Sequence, residues 1–178
     1  MNKLGYAGFK FNHSDFITEL VKQLNCSSYL ELGVYDGVTL SKVKNHVNRL
    51  ISVDIKDLRK EKIGEFHLTT TDNFFEDFKD RIDFIFIDAD HNFESVKKDF
   101  NNSIKILSPL GMISLHDTDP IEEKYLDGGY CGDSYKMDKW IRENYPDLDV
   151  MTLPITEAGL TLVKRKLDNR VNSFIKNG

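Results

Sequence analysis

The chain has 178 residues, is 40% hydrophobic and 11% aromatic, and carries a net charge of −5. That is enough apolar material for one sizeable core, and the length suits a single domain over 1–178. Acids and bases interleave, so no basic track meets a phosphate backbone or an anionic membrane, and neither nucleic acid nor membrane is expected as a partner.

No apolar run approaches the roughly 20 residues of a membrane span, and the start MNKLGYAGFKFNH lacks the apolar centre of a signal peptide. A cytoplasmic protein is expected, in which Cys26 and Cys131 sit in no metal-binding or redox spacing and stay reduced. Along the chain, Ser14 precedes a stripe of Phe16, Ile17, Leu20, Val21 and Leu24 at helical period, which predicts an amphipathic helix capped by Ser14. Tyr29 to Val34 reads as a first strand, followed by a glycine loop and a helix over about Thr39 to Val47. The runs RLISVDI (49–55), EFHLTTT (65–71) and IDFIFID (82–88) predict strands two to four. A helix from about Phe93 to Leu107 is stopped by SPLG, and MISLHD (112–117) makes strand five. Strands alternating with helices predict an α/β fold with a Rossmann-like, doubly wound, mostly parallel sheet. Further on, Met137, Trp140, Ile141 and Tyr145 share one helical face and predict core packing, whereas Lys97, Lys98 and Lys105 mark the wet side of an earlier helix. DVMTLP and GLTLVKR, separated by a short turn near Glu157 to Gly159, predict a C-terminal antiparallel strand pair.

An open α/β sheet binds ligands outside the carboxyl ends of its strands. The first strand end reads YLELGVYDGVTL, with Glu31, Gly33, Asp36 and Gly37 in the pattern acid-x-Gly-x-x-x-Gly. A dinucleotide fingerprint starting at Gly33 would need glycine again at 35 and 38, where Tyr35 and Val38 stand, which disfavours an NAD-linked oxidoreductase. Acids beside the loop repel a phosphate dianion but suit an ammonium group, so a nucleoside carrying an amino acid fits better. Tyr35 and Asp36 are counted with the loop's cofactor-binding residues. Asp54, at the end of strand two, stands where an acid can accept both hydroxyls of an unphosphorylated ribose. Asp72 either accepts the exocyclic amine of an adenine or caps a helix beginning at Asn73.

Together ELGVYDG, SVDI, DFIFIDADHNFESVKKDF and GMISLHDT resemble class I S-adenosylmethionine-dependent methyltransferases, over about residues 26 to 165. The IDADH and HDT elements are similar to those of the branch containing metal-dependent O-methyltransferases of the catechol and caffeoyl-CoA type. The resemblance implies a seven-stranded sheet with a reversed seventh strand, and a glycine loop that holds the methionine part of S-adenosylmethionine. It implies that Gly33 and Gly37 let the backbone approach the cofactor, that Glu31 lies under its amino acid portion, and that Asp54 takes the ribose. It makes Asp88 a metal ligand next to the methyl group, and sets His116 and Asp117 where those relatives carry Asp-Asn. Asp88, His116 and Asp117 are thus candidates for a magnesium or manganese ion, and Asp88, His91 and His116 for catalysis, with either histidine as general base. The glycine-bearing loop DPIEEKYLDGGYCGDSYK is expected to move and to select a small-molecule acceptor hydroxyl of sugar, phenol or natural-product type. Two other readings are a non-catalytic binding subunit on the same fold and the NAD-linked oxidoreductase; a homo-oligomer is compatible with all three.

Overall fold

The computed structural model describes residues 12–167. Most of the opening segment and the last residues of the single-domain expectation therefore lie outside the described residues. Helix α1 (His13–Gln23) opens the described chain, but its cap is Asn12 rather than Ser14: Asn12 and Asp15 form a reciprocal capping box. Ser14 lies within the first turn and is buried, its hydroxyl 2.7 Å from that of Thr39, so its polarity serves the contact with the next helix.

Strand β1 (Ser28–Leu32) is buried along its whole length, as a central parallel strand covered on both faces must be. The short helix α2 (Val38–Val43) follows the glycine loop, then β2 (Arg49–Asp54) and β3 (Glu65–Leu68). Strand β3 is shorter than expected because Thr70 accepts from the Asn73 amide and caps α3 (Thr71–Asp77), which takes the threonine run out of the sheet. Next come β4 (Ile82–Ile87), α4 (Phe93–Ile106) and β5 (Leu107–His116). Strand β5 begins earlier than expected, since Leu107 already pairs with Ile82 before an irregularity, after which Met112 pairs with Phe84. A 3₁₀ turn (Glu123–Leu126) precedes α5 (Lys136–Asn144), and β6 (Leu148–Leu153) and β7 (Leu160–Arg165) close the described chain.

The seven strands run β3-β2-β1-β4-β5-β7-β6. β1 to β5 are mutually parallel and β7 is antiparallel to both β5 and β6. This is the expected α/β sheet with its antiparallel last pair, in which β7 alone runs against the other strands. The order turns back between β1 and β4, so the carboxyl ends of these strands splay apart there and leave a crevice. One apolar cluster fills the face under α3, α4 and α5, including Met137 and Ile141 with Trp140 and Tyr145 packed against it, as their shared helical face implied. A second joins α1 and α2 to the other face. Of the three lysines read as the wet side of α4, Lys98 pairs with Asp72 and Lys97 with Glu94, and Lys105 donates to Asn102. Both cysteines are free thiols, and buried. Among the described residues no helix is long and apolar enough to cross a membrane.

Candidate active site at the sheet switch point

The glycine loop is built by backbone conformations that ordinary residues resist. Gly33 and Gly37 have φ of 81° and 79°, and Tyr35 between them is also left-handed at 49°. Asp54 holds the turn from the next strand: its Oδ2 accepts from the Val34 and Tyr35 amides at 2.8 and 3.0 Å, and its Oδ1 from the Lys56 amide at 2.9 Å. Gly33 is required for a second reason, since a Cβ there would stand 2.2 Å from the Asp88 carbonyl oxygen. The end of β1 thus lies directly against the end of β4.

Two cavities meet at this point. One of about 360 Å³ runs between the ends of β2 and β3 and the start of α4, lined by Asp54, Thr69 to Asp72, Asp90 and Asp99. The other, about 830 Å³, spreads over the ends of β1, β4 and β5 and includes His13, Tyr35, Asp88, His91, His116 and Asp117. Gly33, Asp54, Ile55 and Ala89 line both, so one elongated ligand can pass between them.

The residues expected to bind cofactor divide accordingly. Gly33 and Asp54 sit at the junction, Tyr35 and Asp88 in the larger cavity, Asp72 in the smaller. Asp72 is not the cap of α3, a role Thr70 takes; it lies in the first turn, 3.4 Å from Lys98 Nζ. Glu31, Asp36 and Gly37 line neither cavity. Asp36 pairs with Lys60 at 2.7 Å outside the loop. Glu31 is buried in β1 and accepts from the Tyr29 hydroxyl at 2.7 Å. Burial pushes its pKa up to about 8 against that hydrogen bond, and Asp88 and Asp54 add to the rise, so the carboxyl keeps its proton at neutral pH.

At the far wall Asp88, His116, Asp117 and His91 form one chain of contacts. His116 Nδ1 lies 3.2 Å from Asp88 Oδ1 and 3.3 Å from Asp117 Oδ1, and His91 Nε2 lies 3.1 Å from Asp117 Oδ2. Asp117 is buried and held at φ 62°. Burial opposes charging His116, but Asp88 and then Asp117 outweigh it and raise its pKa to about 10; Asp117 is lowered by His116 in spite of its own burial. His116 Nε2 is buried with no hydrogen-bond partner among the described residues, and its ring packs against that of His13, 4.2 Å between centroids.

Three residues here escaped sequence reasoning. His13 comes from the first turn of α1, and nothing in its neighbourhood distinguishes it; burial, reinforced by His116, lowers its pKa to about 4. Cys131 reaches Asp117 from the glycine-rich loop, its thiol pushed up to about 12 by burial and then by Asp117. Asp99 had a legible signal: it falls on the buried face of α4 with Val96, Phe100 and Ser103, where an acid must have a reason. Burial raises Asp99 to about 7.

The loop over the larger cavity is tied down at both ends. Asp119 and Ile121 donate to the Ala158 and Glu157 carbonyls, and the Asp133 amide donates to that of His91. The motion expected from its glycines is therefore confined to the segment between these anchors.

Comparison with known proteins agrees with this geometry. The profile of a methyltransferase-domain family matches residues 30–118, from β1 to the turn after β5. No curated protein matches the chain. Among solved structures, a cofactor-bound protein from MTB is similar at 14% identity with a TM-score of 0.71, over 85% of this chain and 78% of that one. The O-methyltransferase TomG of Streptomyces achromogenes, in complex with SAM, is similar at 15% identity with a TM-score of 0.66, over 86% and 79%. An rRNA methylase from Streptococcus thermophilus is similar at 7% identity with a TM-score of 0.67, over 90% of this chain and 100% of that one. At these identities the structures share a fold and leave the substrate open, while the family profile covers half of the sequence. The chain belongs to the methyltransferase-domain family.

Proposed function

We propose that the protein transfers the methyl group of S-adenosylmethionine to a hydroxyl of a small molecule. The observation that carries this reading is the pair of cavities joined at Asp54 and Gly33, with a carboxylate and imidazole cluster only in the larger one. In this reading the smaller cavity and Asp54 at the junction would hold the nucleoside of the cofactor, and Gly33 with the larger cavity would hold its methionine portion. The acids that line the two cavities, Asp54, Asp72 and Asp99 in one and Asp88 and Asp117 in the other, suit a cofactor without phosphate better than NAD. That solved neighbours of the same fold hold SAM or SAH adds support.

Transfer is an in-line displacement: the acceptor oxygen bonds to the methyl carbon as the carbon–sulfur bond breaks and the electron pair stays on sulfur. Holding the two reactants in line supplies much of the acceleration. The acceptor must also lose a proton. The hydrogen-bond pattern favours His91 for this task over His116. Asp117 Oδ2 stands 3.1 Å from His91 Nε2, which in this reading leaves the other ring nitrogen, Nδ1, to accept the proton. His116, in contrast, spends Nδ1 on two carboxylates and buries Nε2. Asp88, His116 and Asp117 are the side chains that would hold a divalent cation, their ligand atoms all lying within 4.8 Å of one another. Such an ion lowers the pKa of a hydroxyl bound to it.

Calorimetry with S-adenosylmethionine, S-adenosylhomocysteine and NAD in parallel tests the cofactor, and methylation of a panel of sugars, phenols and natural-product alcohols, read by mass spectrometry, tests the acceptor. Binding of NAD alone would replace this reading with the oxidoreductase. Cofactor binding without methylation of any acceptor in the panel would favour the non-catalytic subunit.

A further inference from the structure

The cluster at the ends of β4 and β5 contains a nitrogen donor in a place where a hard cation is best served by oxygen alone. Two carboxylates, one of them buried, converge on one side of an imidazole. The ring's orientation leaves no choice of atom: Nε2 is buried against His13, and Nδ1 is the nitrogen turned to both acids. Asp117 is likewise committed. Its Oδ2 is engaged by His91 and its carboxylate by the Cys131 thiol, while Oδ1 faces His116 Nδ1. Outer partners that fix a carboxylate in this way are what a metal centre needs around its ligands.

Oxygen donors alone suit magnesium and calcium, whereas imidazole nitrogen favours the later first-row ions. We propose that Asp88, His116 and Asp117 form a centre of one nitrogen and two carboxylates that takes a first-row transition-metal ion, manganese through zinc, in preference to magnesium or calcium, and that His116 sets this preference. The inference rests on the reading of the larger cavity as the methyl-transfer site, but the metal preference can be measured without any turnover. Cys131, and His91 in addition to its part as base, hold Asp117 toward the ion.

The test uses the full chain, freed of metal, titrated calorimetrically with magnesium, calcium, manganese, cobalt and zinc in turn, with visible absorption recorded for the cobalt form. Cobalt and zinc should bind more tightly than magnesium by roughly a hundredfold or more, as an imidazole ligand requires. In His116→Glu, which makes the set all oxygen, the preference for cobalt over magnesium should shrink by roughly tenfold or more and the cobalt bands should shift. Asp117→Asn should weaken every ion while leaving the order of preference intact, so the proposal stays testable if His116→Glu does not fold. Equal affinities in the parent protein, no binding of any ion, or an unchanged preference in His116→Glu would overturn it. Binding of S-adenosylhomocysteine, measured separately, distinguishes the two failures: metal selectivity without cofactor binding sinks the methyltransferase reading alone, and cofactor binding without metal selectivity sinks this one alone.

Discussion

Adding one methyl group at Gly33 should damage the protein far more than adding the same group at Gly37, although the two glycines share a loop and nearly the same φ, 81° and 79°. Left-handed backbone costs a residue with a Cβ about 1–2 kcal/mol, and this is common to both sites. The surroundings differ. At Gly37 the new Cβ meets the Arg59 side chain at 3.4 Å, an ordinary contact, whereas at Gly33 it meets the Asp88 carbonyl oxygen at 2.2 Å and the Ala89 Cα at 2.4 Å. Those are main-chain atoms, so the ends of β1 and β4 must part, and overpacking of this kind costs about 1–3 kcal/mol more. For a chain of this size each kcal/mol moves the melting temperature by about 2–4 °C, so Gly33→Ala should melt about 4–20 °C lower and Gly37→Ala about 2–8 °C lower. Thermal unfolding followed by circular dichroism measures both. Gly33→Ala should in addition lose S-adenosylhomocysteine binding at temperatures where it is fully folded, because Gly33 lines both cavities and Gly37 neither. Equal penalties, or intact binding in Gly33→Ala, would refute the argument that this glycine exists for the approach of two strand ends.

Three further outcomes can be checked with the same assays. Glu31→Gln should flatten the pH dependence of stability. The folded carboxyl, its pKa pushed up to about 8 chiefly by burial, keeps a proton that the unfolded chain releases near 4.5. Stability from this group is therefore complete below about pH 4.5 and falls by up to about 1.4 kcal/mol per pH unit until about pH 8, so the variant should gain on the parent as pH rises; parallel curves would show that Glu31 titrates normally. Asp54→Ala should weaken S-adenosylhomocysteine binding by about 1.5–3 kcal/mol through loss of charged hydrogen bonds, and unchanged affinity would remove Asp54 from the site. His91→Ala should abolish methyl transfer to whichever acceptor the panel identifies while cofactor affinity holds, and a fully active variant would return the proton to another base.

The order of elements, the reversed pair and the strand-end acids could be read from sequence because each rests on local pattern: alternating apolar runs, a short turn, a glycine loop. Boundaries were less legible wherever a side chain took a backbone group for itself. Thr70 capping α3 shortened β3, and Asn12 displaced Ser14 as the cap of α1. Within the site, Asp88, His91, His116 and Asp117 stand at the ends of neighbouring strands, and the structure brings them into contact. His13 belongs to a segment far away in sequence and Cys131 to the irregular loop after β5, and only the tertiary fold puts them against the same cluster. Glu31 shows the opposite limit. Its place in the motif was plain, but that it lies beneath the cavity wall, hydrogen-bonded to Tyr29, depends on which face of β1 it occupies.

The loop over the larger cavity hangs on His91. The Asp133 amide donates to the His91 carbonyl, Asp133 Oδ1 accepts from the Phe93 amide, and Gly132 presses so closely on His91 that a Cβ there would lie 2.3 Å from its carbonyl oxygen. The segment over the larger cavity and the segment that carries His91 are therefore one module in two pieces. Anyone grafting the loop 119–135 onto a relative, or a relative's loop onto this chain, should move residues 90–94 with it. A loop carried alone would arrive without the main-chain hook that sets its height over the larger cavity.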